Sequence, residues 1–167
     1  MEDLTNKDYV PVQFGKHKKG IESVLFVEEL NMLLAGDQDG RVIQYHYKNN
    51  SWDLVKDYGN LRINSVLCCV RIGHLVIFGG YDSHSLRVVD VKKMEILGDP
   101  YKTAIFQINS LLLCDISDEK MLLSVCGYGS SYSPDTSDIL DISDLIKQFK
   151  VDSEKMLKEG EVNEIMN

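Results

Sequence analysis

Between Ile21 and Tyr47 the apolar positions fall into three short runs split by polar turn residues: Ile21 to Phe26, Met32 to Gly36 and Arg41 to Tyr47. Runs this short, rich in β-branched, aromatic and Leu residues and bounded by turn formers, predict strands. The intervening Asp37-Gln38-Asp39-Gly40 predicts a tight hairpin, because glycine takes positive φ freely and aspartate tolerates it. Lys48-Asn49-Asn50 predicts a second hairpin, leading into a fourth strand from Ser51 to Lys56 whose Trp52 and Leu54 pack with Tyr47.

The pattern returns. Ile63-Asn64-Ser65-Val66-Leu67 matches Ile21-Glu22-Ser23-Val24-Leu25 after 42 positions, and Ile108-Asn109-Ser110-Leu111-Leu112 matches again after a further 45. Each copy is followed by an apolar run ending in glycine, Leu75 to Gly80 and Met121 to Gly127. A period in the low forties with three to four strands per unit predicts propeller blades. The expected fold is therefore all-β: a partial β-propeller of about three four-stranded antiparallel blades, at 17–58, 59–99 and 104–142, within a segment 1–142. Tyr9 to Phe14 reads as an edge strand, since Pro11 has no N–H for a central ladder. The outermost strand of the second unit is expected from Met94 to Leu97, stopped by Gly98-Asp99-Pro100. From Ile105 to Cys114 both alternating sets are largely apolar, which predicts burial on both faces. From Asp138 the period changes: Ile139 to Ile142 reads as a short third strand, Leu145, Ile146 and Phe149 then recur at helical spacing, and a second helical stretch is expected over 153–159. Residues 143–167 are thus expected to form a short, acidic helical tail.

The first unit resembles a WD-repeat. His17 stands four before Ile21, at the family histidine's place, Asp39 matches the turn aspartate, and Tyr45-His46 replaces the closing Trp-Asp. In the second unit Val89-Asp90 closes the strand and Gly59 holds the histidine position; in the third that position is Ala104. The resemblance covers roughly residues 8–142. It implies a structural hydrogen-bond network through His17, Asp39 and Tyr45, and a rigid non-catalytic platform that holds other protein subunits in a multiprotein assembly.

Charge narrows the field. The net charge of −8 argues against sequence-independent nucleic-acid binding, which needs clustered Lys and Arg; the one basic cluster, Lys16 to Lys19, reads as a solvated loop. Cys68, Cys69, Cys114 and Cys126 lie inside apolar runs with no metal-ligand spacing and are expected to be buried free thiols, pointing to reducing cytoplasmic or nuclear surroundings. The acidic start and the lack of a long apolar run predict neither a secretory signal nor a membrane helix. His17, His46, His74 and His84 show no ligand spacing and read as turn or surface residues. No phosphate loop, calcium loop or nucleophile elbow is legible, so no catalytic residue, metal ligand or cofactor is expected.

Three blades do not close a ring. Each end blade would expose an apolar face; the chain is read as a subunit or a fragment whose open faces are covered by partner subunits, by blades outside this sequence or by the 141–167 tail, with Leu145, Ile146 and Phe149 as a second docking element. A second copy completing a six-bladed ring is the alternative partner. The alternative function is a propeller-type enzyme or small-ligand protein using the central channel, and a third reading is a phosphopeptide reader using Arg41 or Arg87.

Overall fold

The computed structural model describes residues 16–81, 84–117, 120–129, 136–145 and 147. Within them the chain is a β-propeller segment built from three antiparallel sheets. Blade one consists of β1 (Ile21–Val27), β2 (Met32–Asp37), β3 (Arg41–Lys48) and β4 (Ser51–Asn60), paired in sequence order. Blade two repeats the order with β5 (Ser65–Ile72), β6 (Leu75–Tyr81), β7 (Ser85–Asp90) and β8 (Glu95–Lys102). Blade three has β9 (Gln107–Ser117), β10 (Lys120–Tyr128) and β11 (Thr136–Asp141), with no fourth strand among the described residues. After Asp141 the chain turns helical at 143–145 and 147. The expected edge strand at Tyr9–Phe14 and the helical stretch at 153–159 lie outside the described residues.

The turns follow the local chemistry. Gly40 adopts φ +77°, with its N–H donating to the Asp37 carbonyl, and a Cβ there would come within 1.6 Å of the Ile63 carbonyl oxygen. Asn49 and Asn50, at φ 53° and 61°, make the two-residue β3–β4 hairpin whose twist suits the flanking strands. Across it Tyr47 and Trp52 pack with ring centroids 5.1 Å apart, and Phe26 meets Trp52 edge-on at 6.1 Å.

Every inner strand begins with a β-bulge, and this fixes which residues are equivalent. The extra residue follows Ile21, Val66 and Ile108, so that Ser23, Cys68 and Ser110 then pair with Gly36, Gly79 and Cys126. The structural repeat is therefore 45 and then 42 residues, the reverse of the letter match made in the sequence. Ile63 belongs to the linker before β5. Leu61 and Ile63 are buried where that linker crosses between blades one and two, and their apolar character makes it look like strand. With this register Arg62, not Gly59, occupies the His17 position in blade two, while Ala104 keeps it in blade three.

Two seams hold the blades together. At the first, Met32, Leu34 and Val42 of blade one pack against Val66, Val76, Phe78 and Val89 of blade two. At the second, Ile77, Leu86 and Val88 pack against Ile108, Leu123 and Val125. Small residues let the sheets approach: a Cβ on Gly36 would lie 2.5 Å from Val66 Cγ1, and one on Gly79 would lie 2.6 Å from Ile108 Cγ2. Two sequence expectations fail here. β8 runs on through Pro100, because an outermost strand needs no N–H on its free side. β9 is not buried on both faces either: Leu112 is 62% exposed, since no sheet lies beyond blade three among the described residues.

Candidate functional site: two end faces and their anchors

Carboxylates, buried in blades one and two, tie each blade's turns in place. Asp37, 1% exposed at the end of β2, accepts the Asp39 and Arg41 backbone N–H groups on Oδ1 and pairs through Oδ2 with His17 Nδ1 at 2.8 Å. The His17 ring centroid lies 6.3 Å from that of buried Tyr45. The cluster therefore includes His17 and Tyr45 but centres on Asp37 in place of Asp39. The Asp39 carboxylate has no hydrogen bond to a described residue; only its backbone is used, the N–H by Asp37 Oδ1 and the carbonyl by Asn60 Nδ2. Alignment to a turn motif cannot distinguish two aspartates two residues apart. The strand alternation does, because Asp37 ends β2 facing the loop that carries His17.

Blade two places a second pair at its opposite end. His74 and Asp90 are both buried, with Nε2 and Oδ2 3.5 Å apart, and Asp90 Oδ1 accepts the Lys92 and Lys93 N–H groups. His74 is thus a turn residue, as the sequence predicts, but a buried one. In blade three Asp141 takes the matching role: its Oδ1 accepts Ser143 N–H, and Ser143 Oγ accepts the Met121 N–H. Asp90 and Asp141 hold equivalent ladder positions, opposite Leu75 and Leu122. These carboxylates act as turn fasteners. Each commits its Oδ1 to neighbouring backbone N–H groups.

The remaining chemistry is muted. Burial pushes the Cys68 thiol up to about 12 and Cys69 up to about 11, so both stay protonated near neutral pH. Cys126, by contrast, is exposed, which corrects the expectation of four buried thiols. Arg41 grips Asp57 and the Lys16 carbonyl, which holds the Asp57 carboxyl below its ordinary range and spends that guanidinium. Among the described residues no group of three or more His, Cys, Asp or Glu side chains could hold a metal ion, and no helix is long and apolar enough to cross a membrane.

The end faces differ from this interior. On blade one the side turned away from blade two carries Val24 at 61% exposure, Phe26 at 52% and Tyr47 at 42%, beside partly buried Leu33 and Trp52. On blade three the outward side carries Leu112, Cys114, Leu122, Ser124, Cys126 and Ile139, the last 65% exposed. Of the expected tail elements, Leu145 is buried in the blade-two/blade-three core, within the chain's own interior. Ile146 and Phe149 lie outside the described residues.

No protein-family model and no curated protein sequence matches the chain. Among solved structures it is similar to a luciferin-regenerating enzyme, a β-propeller, with a TM-score of 0.50 and 11% identity over 68% of this chain and 40% of that one. The chain spans less than half the length of that neighbour, and at this identity the likeness concerns the fold alone.

Proposed function

We propose that the chain is a non-catalytic, WD-repeat-like interaction subunit of a multiprotein assembly in the reducing cytoplasm, and that the outward face of blade one is its docking surface. The observation that carries this is the contrast between matched sheet faces. In blade two Val66 faces the preceding blade and is fully buried, whereas Ile21, which holds the same position in blade one, is 41% exposed, with Val24 and Phe26 on the same face at 61% and 52%. Apolar side chains in a contiguous row on a sheet face cost free energy in water, roughly 25 cal/mol per Å² of apolar area. A second sheet with an apolar face relieves that cost, as blade two does for the other side of blade one. The partner is another protein subunit with a β-sheet of its own, its rim basic to complement the net charge of −8. A second copy of the chain is the alternative partner, with blade one of each copy meeting blade three of the other.

The test is the native mass of the assembly, by light scattering on material isolated under mild conditions. Wild-type chain is expected in a species well above its own 19.0 kDa, and Val24→Asp with Phe26→Asp is expected to release it with the β-sheet circular dichroism intact. Isolation of the wild type as a stable 19.0 kDa monomer would sink the proposal. A mass of two copies would select the alternative partner.

A further inference from the structure

The two internal seams repeat the same geometry but carry opposite charge at one matched position. At the second seam Asp138 sits opposite Val125 in the ladder, on the face turned to blade two. Its Oδ2 accepts Thr103 Oγ1 at 3.0 Å and the Ala104 N–H at 3.3 Å, so a carboxylate fastens the linker that leads into β9. At the first seam the same ladder position, opposite Phe78, is Arg87, and the residue matching Ala104 is Arg62. A cation replaces the anion, and a second cation stands in the linker.

Arg87 is 8% exposed, and its Nε is fully enclosed without a hydrogen-bond partner. Its guanidinium makes no ion pair or hydrogen bond to any described residue. Burial and the nearby Arg62 charge both disfavour its ionised form, and only Asp99 acts in the other direction, without forming an ion pair. A buried charge left uncompensated is among the most costly features a fold can carry. Opposite Arg87 the β7–β8 ladder opens: Leu86 pairs with Tyr101 and Val88 with Leu97, leaving Gly98, Asp99 and Pro100 out of register.

We propose that Arg87 and Arg62 form an anion seat at the first seam, taking a small phosphate-class oxyanion in the role that the Asp138 carboxylate fills at the second. Two guanidinium groups match a dianion better than a single carboxylate, and the planar fork of arginine suits two oxygens at once. Arg87 provides the enclosed contact and Arg62, which is exposed, the rim. The phosphoryl group comes either from the free ion or from a phosphorylated side chain of a protein partner.

The full-length chain is titrated with inorganic phosphate, O-phosphoserine and acetate at constant ionic strength, with melting temperature and calorimetric heat as readouts. Phosphate is expected to raise the melting temperature saturably, and acetate much less. Arg87→Met and Arg62→Asn are each expected to weaken phosphate binding about tenfold or more, the usual loss for a charge-assisted contact. Arg62→Asp, which tolerates the φ of 62° at that position, brings a carboxylate to Arg87 and is expected to raise the phosphate-free melting temperature while abolishing the response. Should Arg87→Met fail to fold, the two exposed-site variants decide the question. O-phosphoserine binding as tightly as phosphate would assign the seat to a modified partner, and phosphate alone to the free ion. A response that does not saturate, or that persists unchanged in Arg62→Asn and Arg62→Asp, overturns the proposal.

Discussion

The seam between blades one and two and the outward face of blade three are built on the same strand positions with different residues. At the seam Leu34 and Gly36 lie on β2 facing blade two, and Gly36 leaves room for Val66. On blade three the matching positions are Ser124 and Cys126, and Cys126 carries a side chain where close approach would demand none. The outward face of blade three is therefore not a third copy of the internal seams, and whatever meets it must sit farther off. The outward face of blade one is different again: its aromatic cluster of Phe26, Tyr47 and Trp52 is only part-covered. Among these surfaces, glycine marks the tight contacts and exposed aromatics mark the proposed docking surface.

The largest test of that contrast swaps one phenylalanine for another. Phe78→Ala, at a seam and 1% exposed, is expected to destabilise the chain by about 3–5 kcal/mol in urea titration, and Phe26→Ala by less than about 1 kcal/mol. Equal losses would mean that the outward face of blade one is as closed as the seam. Next in size is Gly79→Ala. Its new Cβ would meet Ile108 at 2.6 Å, so a loss of about 1–3 kcal/mol is expected, against a change within about 0.5 kcal/mol for Cys126→Ala at the equivalent exposed position.

A third comparison separates the two turn aspartates. Asp37→Ala removes the acceptor of two backbone N–H groups and the His17 partner, an expected loss of about 2–3 kcal/mol, whereas Asp39→Ala is expected to change stability by less than about 0.5 kcal/mol. The reverse order, measured by thermal melting, would restore Asp39 as the centre of the cluster.

The smallest effect is a pH dependence on the closed side of blade one. His46 contacts Gln44 at 3.0 Å, and burial holds its imidazole below the ordinary range, so the fold favours the neutral ring. That contribution is present above the unfolded value near 6.5 and is lost as pH falls through the lower folded value. Stability is expected to decline on acidification from pH 7 towards 5, and His46→Gln should flatten that part of the profile. An unchanged slope in the variant would place the titrating group elsewhere.

The short strands, the tight turns at Gly40 and Asn49-Asn50, and the three-fold repetition were all legible in the sequence. Those features depend on neighbours along the chain: alternation, β-branching and the φ freedom of glycine and asparagine. Register was not legible, because Leu61 and Ile63 are buried by crossing a seam and are as apolar as a strand. Nor was the choice of Asp37 over Asp39, the burial of His74, or the exposure of Leu112 and Cys126. Each of these turns on which sheet lies against which face. The same holds for Arg87, an ordinary β-strand arginine in the sequence whose enclosure, without an ion pair to any described residue, arises only when two blades and their linker converge on it. Local propensity determined the elements; packing between elements distant in the chain decided which side chains are fastened, exposed or left wanting a partner.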